Sequence, residues 1–199
     1  ARRSLDYLSQ RRDLTLNPEV EPVPPHDHWT CIAIQEMSEL EPRKRHALYA
    51  YRVAQSMSRV QFTEETAPAR DFVGGKGPLQ PPSVCATATD LEAYMGAYIA
   101  LDRWADQDPE MRRKRDECWG WARRAGKFVL SNQFLPENAY FIPNPSRALG
   151  GIHGRPTTTI VRNDYVQHAI CGVIKLTNIL NATAAETERP QDGPQGKSE

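Results

Sequence analysis

An aspartate and a histidine one helical turn apart are the pair in this chain best suited to chemistry. Asp164 and His168 occur at positions i and i+4 of an apolar, helix-like segment, so they share one face of a helix. A carboxylate that holds an imidazole can poise it to accept or donate a proton near neutral pH. We therefore predict that His168 is a general acid or base with Asp164 as its partner. A structural polar pair at a buried helix start is the alternative.

A second helix start carries another acid beside an aromatic residue. Asp90 and Tyr94 are four residues apart and so share a helix face, whereas Glu92 is expected to point away from them. We predict Asp90 as a further catalytic acid and Tyr94 as a substrate contact. Paired-carboxylate hydrolysis needs two acids roughly 5 to 10 Å apart, a separation that the sequence does not give.

A third helix start combines imidazoles with an indole. His26, His28 and Trp29 surround Asp27, which is also a plausible helix N-cap. An aromatic ring beside polar groups suits a sugar, because the apolar face of the sugar can lie on the indole while its hydroxyls meet polar side chains. We predict His26, His28 and Trp29 as substrate contacts. A capped helix with a packed tryptophan explains the same residues without a ligand.

Further predicted substrate contacts lie near the Asp164 pair: Arg162, Tyr165 and, in the preceding loop, Tyr140. Asp164 and His168, together with His26 or His28, could supply three metal ligands, but no spacing demands an ion. The cysteines stand alone, without a Cys-x-x-Cys motif that would indicate structural zinc. We therefore predict no metal and no cofactor.

These residues must be positioned by helices. Apolar residues at spacings of three and four predict an all-α chain, and the small residues around Gly96 predict a closely packed helix. Residues 182–199 have no apolar period and are predicted to be a disordered tail, which leaves a helical domain at 1–181. The predicted helices cover residues 1–10, 28–40, 43–61, 87–104, 109–131 and 163–181.

The connections alternate between long and short. The long loops at 11–27, 62–85 and 132–161 are separated by short turns at 41–42 and 106–109. Helices joined by short turns run antiparallel, so the long loops should emerge at one end of the molecule. The three helix starts should then converge on one pocket.

Two of the long loops also repeat each other. Gly74-Gly75 followed by Pro82 and Asp90 is echoed by Gly150-Gly151 followed by Pro156 and Asp164, an offset of about 75 residues. In both loops the proline precedes the aspartate by eight residues, which predicts equivalent entries into equivalent helices.

This pattern resembles the α/α-toroid superfamily, which includes six-hairpin glycosidases, sugar epimerases and, more distantly, terpenoid-cyclase-like proteins. The resemblance covers about residues 1–181 and implies antiparallel helical hairpins forming part of an α/α toroid. It places a pocket at the mouth of the ring, lined by the long loops and the starts of the inner helices. About three hairpins make half a ring, so the remainder before Ala1 or a second copy would complete it.

Composition excludes some partners. The formal net charge is zero, with 25 basic and 25 acidic residues, so no overall field attracts nucleic acid. No stretch approaches the ~18 apolar residues of a membrane span. We predict a soluble protein without nucleic-acid or membrane partners, and the sequence does not decide between cytoplasm and periplasm.

Two classes of function remain. The first is a carbohydrate-active enzyme, a glycoside hydrolase, lyase or epimerase with a saccharide ligand. The second is a non-catalytic helical domain that binds a saccharide or a partner chain. A terpenoid cyclase is disfavoured, because the consecutive aspartates of that family are missing. Convergence of Asp90, Asp164, His168 and either His26 or His28 on one cleft would favour an enzyme, whereas side chains that point into separate helix contacts would argue against one.

Overall fold

The computed structural model describes residues 2–12, 27–78 and 80–187, in which helices are joined by long loops and short turns. This part of the chain contains no β-strand, so the predicted all-α class is confirmed. A short 3-10 turn occupies Arg70–Phe72. In chain order the helices are α1 (Arg2–Arg12), α2 (His28–Leu40), α3 (Lys44–Ser58), α4 (Val84–Ala105), α5 (Pro109–Ser131), α6 (Pro145–Ala148) and α7 (Asn163–Thr187).

The last helix runs past the predicted start of the tail. It continues to Thr187, because residues 182–187 contain neither glycine nor proline to end it. The rest of the predicted tail, 188–199, lies outside the described residues, as does most of the first long loop. No helix in the described part of the chain is both long and apolar enough to cross a membrane.

Side-chain caps fix the starts of α4 and α5. The Ser83 hydroxyl accepts a hydrogen bond from the backbone N–H of Ala86 at the start of α4. At the start of α5, the Asp108 carboxylate accepts from the N–H groups of Glu110 and Met111 at 2.9 and 3.3 Å. Such caps satisfy donors that have no partner inside the helix. They define where the loops stop and the core helices begin.

Helix α4 forms the centre of the molecule. It contacts α2, α3, α5 and α7, and every residue from 87 to 97 is buried. A Cβ atom at Gly96 would lie 2.8 Å from the carbonyl oxygen of Cys31 in α2, and one at Gly172 in α7 would lie 2.8 Å from the Leu91 side chain of α4. The predicted close packing around Gly96 is confirmed. Both α2 and α7 approach α4 closely because these positions lack a side chain.

The Gly-Gly repeat of the two loops is confirmed in the backbone. In the first loop, the N–H of Phe62 donates to the carbonyl of Gly75 at 2.9 Å, and the N–H of Gly74 donates to the carbonyl of Phe62 at 2.8 Å. The second loop repeats both bonds at 2.9 and 2.8 Å, with Phe134 and Gly150-Gly151 in the same places. The two turns are therefore the same structure.

A further echo precedes each turn and was not among the predicted features. The segment QFTEETA at 61–67 corresponds to QFLPENA at 133–139. In both, the closing alanine donates its N–H to the carbonyl four residues earlier, at 3.0 and 2.9 Å. The repeat therefore includes the exit from one helix as well as the Gly-Gly turn.

The predicted equivalence of Asp90 and Asp164 is wrong. Asp90 lies in the second turn of α4, whereas Asp164 is the second residue of α7. The second loop has a longer segment between its Gly-Gly turn and the next helix, so the matched proline spacing no longer marks the same helical position. The repeat is exact in the turns and is lost before the helices start.

The two Gly-Gly turns allow a matched test of the fold. Gly74 and Gly150 have φ angles of 87° and 81°, which disfavour any side chain. At Gly74 a Cβ would lie 2.1 Å from the carbonyl oxygen of Arg124 in α5, whereas at Gly150 no described atom lies within 4 Å. We expect Gly150→Ala to lower the free energy of unfolding by about 1 kcal/mol and Gly74→Ala by at least about 3 kcal/mol. Urea denaturation of both variants measures the difference, and equal losses would contradict the packing of the first loop on α5.

Candidate functional site

One side chain from each of three helices meets at a single point. His28 opens α2, Glu92 lies in the third turn of α4, and His168 lies in the second turn of α7. The Nδ1 atom of His168 lies 2.8 Å from Oε2 of Glu92, and Nε2 of His28 lies 3.9 Å from the same oxygen. The two imidazole rings are 5.5 Å apart, edge to face. We call these three residues the His–Glu–His cluster.

Burial makes it costly for the residues of the cluster to carry a charge. The side chains of His28 and Glu92 are only 5% and 4% exposed, and that of His168 is 15% exposed. Burial raises the pKa of Glu92, and the hydrogen bond from His168 acts in the opposite direction. A buried carboxylate is costly unless it is paired. The hydrogen bond from His168 therefore offsets part of the cost of ionising Glu92 inside the molecule.

Two further side chains of α7 act on Glu92. The thiol of Cys171 hydrogen-bonds its carboxylate, and the positive charge of Lys175 also favours the ionised form. The Nζ atom of Lys175 is held by Oε1 of Gln35 in α2 at 2.6 Å. The carboxylate of Glu92 is thus surrounded by groups from both neighbouring helices.

Trp29 forms the exposed edge of this cluster. Its ring centroid lies 4.7 Å from that of His28 and 6.3 Å from that of His168, yet the residue is 61% exposed. A large aromatic face that stays in solvent beside buried polar groups is the arrangement that a sugar ring can use. The predicted residues His28, Trp29 and His168 are therefore brought together.

The carboxylate that contacts His168 is Glu92, and the predicted partner Asp164 has a different contact. Asp164 accepts a hydrogen bond at 3.0 Å from Nε of Arg162, and both side chains are largely exposed at the surface. Glu92 points away from Asp90 and Tyr94, as predicted, but it meets α2 and α7 there because α4 is enclosed by other helices at this level. The sequence signal that could have identified Glu92 was its position within a mostly apolar helical segment.

The other predicted acid, Asp90, is paired elsewhere. Its Oδ1 lies 2.8 Å from Nζ of Lys76, which comes from the first long loop, and the residue is 2% exposed. Burial raises the pKa of Asp90 to about 6 in spite of the lysine. Lys76 also donates its backbone N–H to the Thr87 hydroxyl at 2.9 Å. Asp90 thus anchors the first loop to α4.

The remaining residues predicted to contact a substrate lie partly at the surface and partly in the core. Tyr94 is fully buried against Trp121 of α5, and burial raises its pKa. Tyr165 is partly buried with the Arg162 guanidinium 5.1 Å from its ring, and Tyr140 is 79% exposed. The described ring contacts of these three tyrosines are with residues outside the His–Glu–His cluster.

His26, the other predicted substrate contact, lies outside the described residues. It directly precedes Asp27, whose carboxylate accepts a hydrogen bond from the Thr30 hydroxyl at 2.7 Å. The prediction for His26 therefore stays a prediction.

The two repeated loops border a separate pocket of about 340 Å³. Within it His153 is buried against Phe134, with ring centroids 4.9 Å apart, and its Nδ1 donates to the carbonyl of Arg155 at 2.6 Å. Burial lowers the pKa of His153, which favours the neutral imidazole. The lining residues, none of which belongs to the His–Glu–His cluster, are Asp71, Ser131, Asn132, Phe134, Asn138, Phe141, His153 and Pro156.

The buried ion pair predicts a pH dependence of stability. Because the pKa of Asp90 is about 6 in the folded protein and 3.8 in the unfolded chain, the folded state keeps its proton between these values. Stability should therefore fall as the pH rises through this window. We expect the free energy of unfolding of the native protein, relative to Asp90→Asn, to decrease by about 2–3 kcal/mol between pH 4 and pH 7. Urea titrations at several pH values measure this, and parallel profiles for the two proteins would exclude it.

Comparison of the chain with protein-family models, with curated proteins and with solved structures gives no match. The functional argument therefore depends on the geometry of the cluster and of its surroundings.

Proposed function

We propose that this chain is a carbohydrate-active protein with helical hairpins of the α/α-toroid type, and that its site is the His–Glu–His cluster with Trp29. Support for the architecture comes from the contacts of α4, which packs against α2, α3, α5 and α7. In the proposed toroid, the helices that follow the long loops form one layer, and the helices that precede them form a second.

The observation that carries the proposed chemistry is the 2.8 Å contact between Nδ1 of His168 and Oε2 of the buried Glu92. A carboxylate in this position holds the proton on Nδ1 and leaves Nε2 to accept a proton from a substrate. The same carboxylate stabilises the imidazolium that forms. Glu92 is then the positioning residue, and His168 is the acid–base group.

The cluster favours some carbohydrate reactions over others. Hydrolysis of a glycoside commonly requires two carboxyl groups at about 5–5.5 Å or at about 6.5–9.5 Å. The described cluster contains one carboxylate and two imidazoles. An imidazole base is better suited to removing a proton from a sugar carbon or hydroxyl, as in a lyase or an epimerase. We therefore place those two reaction types ahead of hydrolysis.

A non-catalytic saccharide-binding protein is the second candidate. It is favoured by the contrast between the exposed Trp29 and the mostly buried His168. In that case the indole binds the sugar, and the histidines and Glu92 only hold three helices together. The two candidates share the binding surface and differ in whether a proton is exchanged.

Binding is tested first. We expect a mono- or oligosaccharide to raise the melting temperature of the protein in buffer containing EDTA, and Trp29→Ala to raise the dissociation constant at least about 10-fold, which corresponds to about 1.4 kcal/mol. Calorimetric titration of both proteins measures the change. Tyr140→Ala, which removes an exposed aromatic ring from the second long loop, serves as the matched control. Saccharide binding that is insensitive to Trp29 would exclude this surface.

Proton transfer is tested with a saccharide that binds. Incubation in D₂O followed by ¹H NMR detects exchange at a sugar carbon or formation of an unsaturated or epimeric product. We expect His168→Gln and Glu92→Gln each to lower this rate at least about 100-fold, because general acid–base catalysis contributes roughly that much or more. Asp164→Asn, which changes the carboxylate that lies one turn before His168, should leave the rate unchanged.

Two results would contradict this assignment. Binding without any exchange or product would favour the non-catalytic candidate. An equal loss of rate in Asp164→Asn would show that the surface carboxylate, and not Glu92, acts on His168. Circular dichroism of each variant separates a loss of chemistry from a loss of folding.

A further inference from the structure

The His–Glu–His cluster has the composition of a metal site. We infer that His28, Glu92 and His168 together bind one divalent transition-metal ion, with Zn²⁺ as the best match. Two imidazole nitrogens and one carboxylate oxygen are ligands that Zn²⁺ accepts, whereas Mg²⁺ and Ca²⁺ prefer oxygen alone. The inference concerns the site of the proposed function, but metal binding does not depend on the saccharide.

The distances between the ligand atoms support this assignment. One such atom from each residue lies within 4.8 Å of the other two. Tetrahedral zinc with bonds of about 2.0–2.2 Å requires ligand atoms roughly 3.3 Å apart. The contacts of the Glu92 oxygen, at 2.8 Å to His168 and 3.9 Å to His28, lie on either side of that value. Side-chain movements of less than about 1 Å would therefore place all three atoms around an ion.

The ligands are held by three separate helices. His28, Glu92 and His168 belong to α2, α4 and α7, and α4 packs directly against the other two. Gly96 and Gly172 allow these close approaches, so the spacing of the ligands is set by the packing of the backbones. An unfolded chain cannot present the three side chains together. Metal binding should therefore stabilise the folded protein.

Neighbouring groups determine the electrostatic environment of the ion site. Cys171 lies one turn beyond His168 on α7, and its thiol favours the ionised form of Glu92. The ammonium group of Lys175 also acts on Glu92 and opposes a second positive charge, but Gln35 holds it by a hydrogen bond. Trp29 leaves one side of the cluster at the solvent boundary. That side is the one from which an ion and a fourth ligand would enter.

Metal and proton compete for the same atoms. An ion that binds Nδ1 of His168 and the carboxylate of Glu92 replaces the proton that joins them, so metal affinity should fall as the pH is lowered. The metal-bound protein cannot use this pair for the proton transfer proposed above. A bound ion would therefore control whether the pair is active.

Titration of the protein with a single metal tests the inference without any saccharide. After treatment with EDTA and removal of the chelator, Co²⁺ should produce visible d–d absorption that saturates at one ion per chain. Zn²⁺ should displace Co²⁺ and, at 100-fold excess over its dissociation constant, raise the melting temperature by about 5–10 °C. We expect Glu92→Gln, His28→Gln and His168→Gln each to weaken Co²⁺ binding at least about 10-fold, because even the loss of a group that only orients a metal ligand typically costs that much.

Matched substitutions make the result specific. His153→Gln removes a buried histidine of the loop pocket, and Asp164→Asn removes the carboxylate one turn before His168, so neither should change Co²⁺ affinity. Circular dichroism of the metal-free variants shows which of them fold, and only folded variants are compared. Absence of saturable Co²⁺ and Zn²⁺ binding to the native protein would overturn the inference. Binding that persists in the folded cluster variants, or that is lost in either control, would also overturn it.

The result of the metal experiment does not depend on the result of the saccharide experiment. Saccharide binding is measured in EDTA, and metal binding is measured without saccharide. A protein that binds sugar but no metal would support the proposed function and contradict the metal site. A protein that binds metal but no sugar would support the metal site and contradict the proposed function.

Discussion

Two carboxylates in the most buried helix of the protein determine how its neighbours are arranged. Asp90 and Glu92 are two residues apart on α4, so they point to different sides of that helix. Each must find a charged or hydrogen-bonding partner, because an isolated buried carboxylate is strongly unfavourable. Asp90 meets Lys76 of the first long loop, and Glu92 meets His28 of α2 and His168 of α7. These contacts tie a loop and two helices to one central element.

The same requirement links stability to the proposed chemistry. Glu92 is raised in pKa by burial and is held by an imidazole, which is the environment that enzymes use to move protons near neutral pH. Structural ion pairs arise from the same physics, so the proposed chemistry requires no residue beyond those that join the helices. Trp29 adds the feature that a structural pair does not need, an aromatic face left in solvent beside it.

The repeated loops show how one local structure acquires different surroundings. The turns at Gly74 and Gly150 share their hydrogen bonds and their positive φ angles. The first turn packs on the backbone of α5 at Arg124, whereas no described atom lies within 4 Å of the position that a Cβ would take at Gly150.

The sequence by itself determined the helices, their approximate limits and the two Gly-Gly turns, because these depend on residues close in the chain. Apolar spacing located the six long helices, and the paired glycines located the turns whose φ angles favour glycine. Sequence also selected His28, Trp29 and His168, since each lies near a helix start that follows a long polar segment.

Only the tertiary structure decided which acid contacts His168. Along the chain Asp164 is the natural partner, one turn away, but at the surface it pairs with Arg162. Glu92 is 76 positions from His168 and reaches it because Gly96 and Gly172 let α2 and α7 pack tightly against α4. Sequence spacing describes contacts within a helix, whereas contacts between helices depend on how their backbones pack. For that physical reason, the helices could be predicted and the carboxylate at the centre of the site could not.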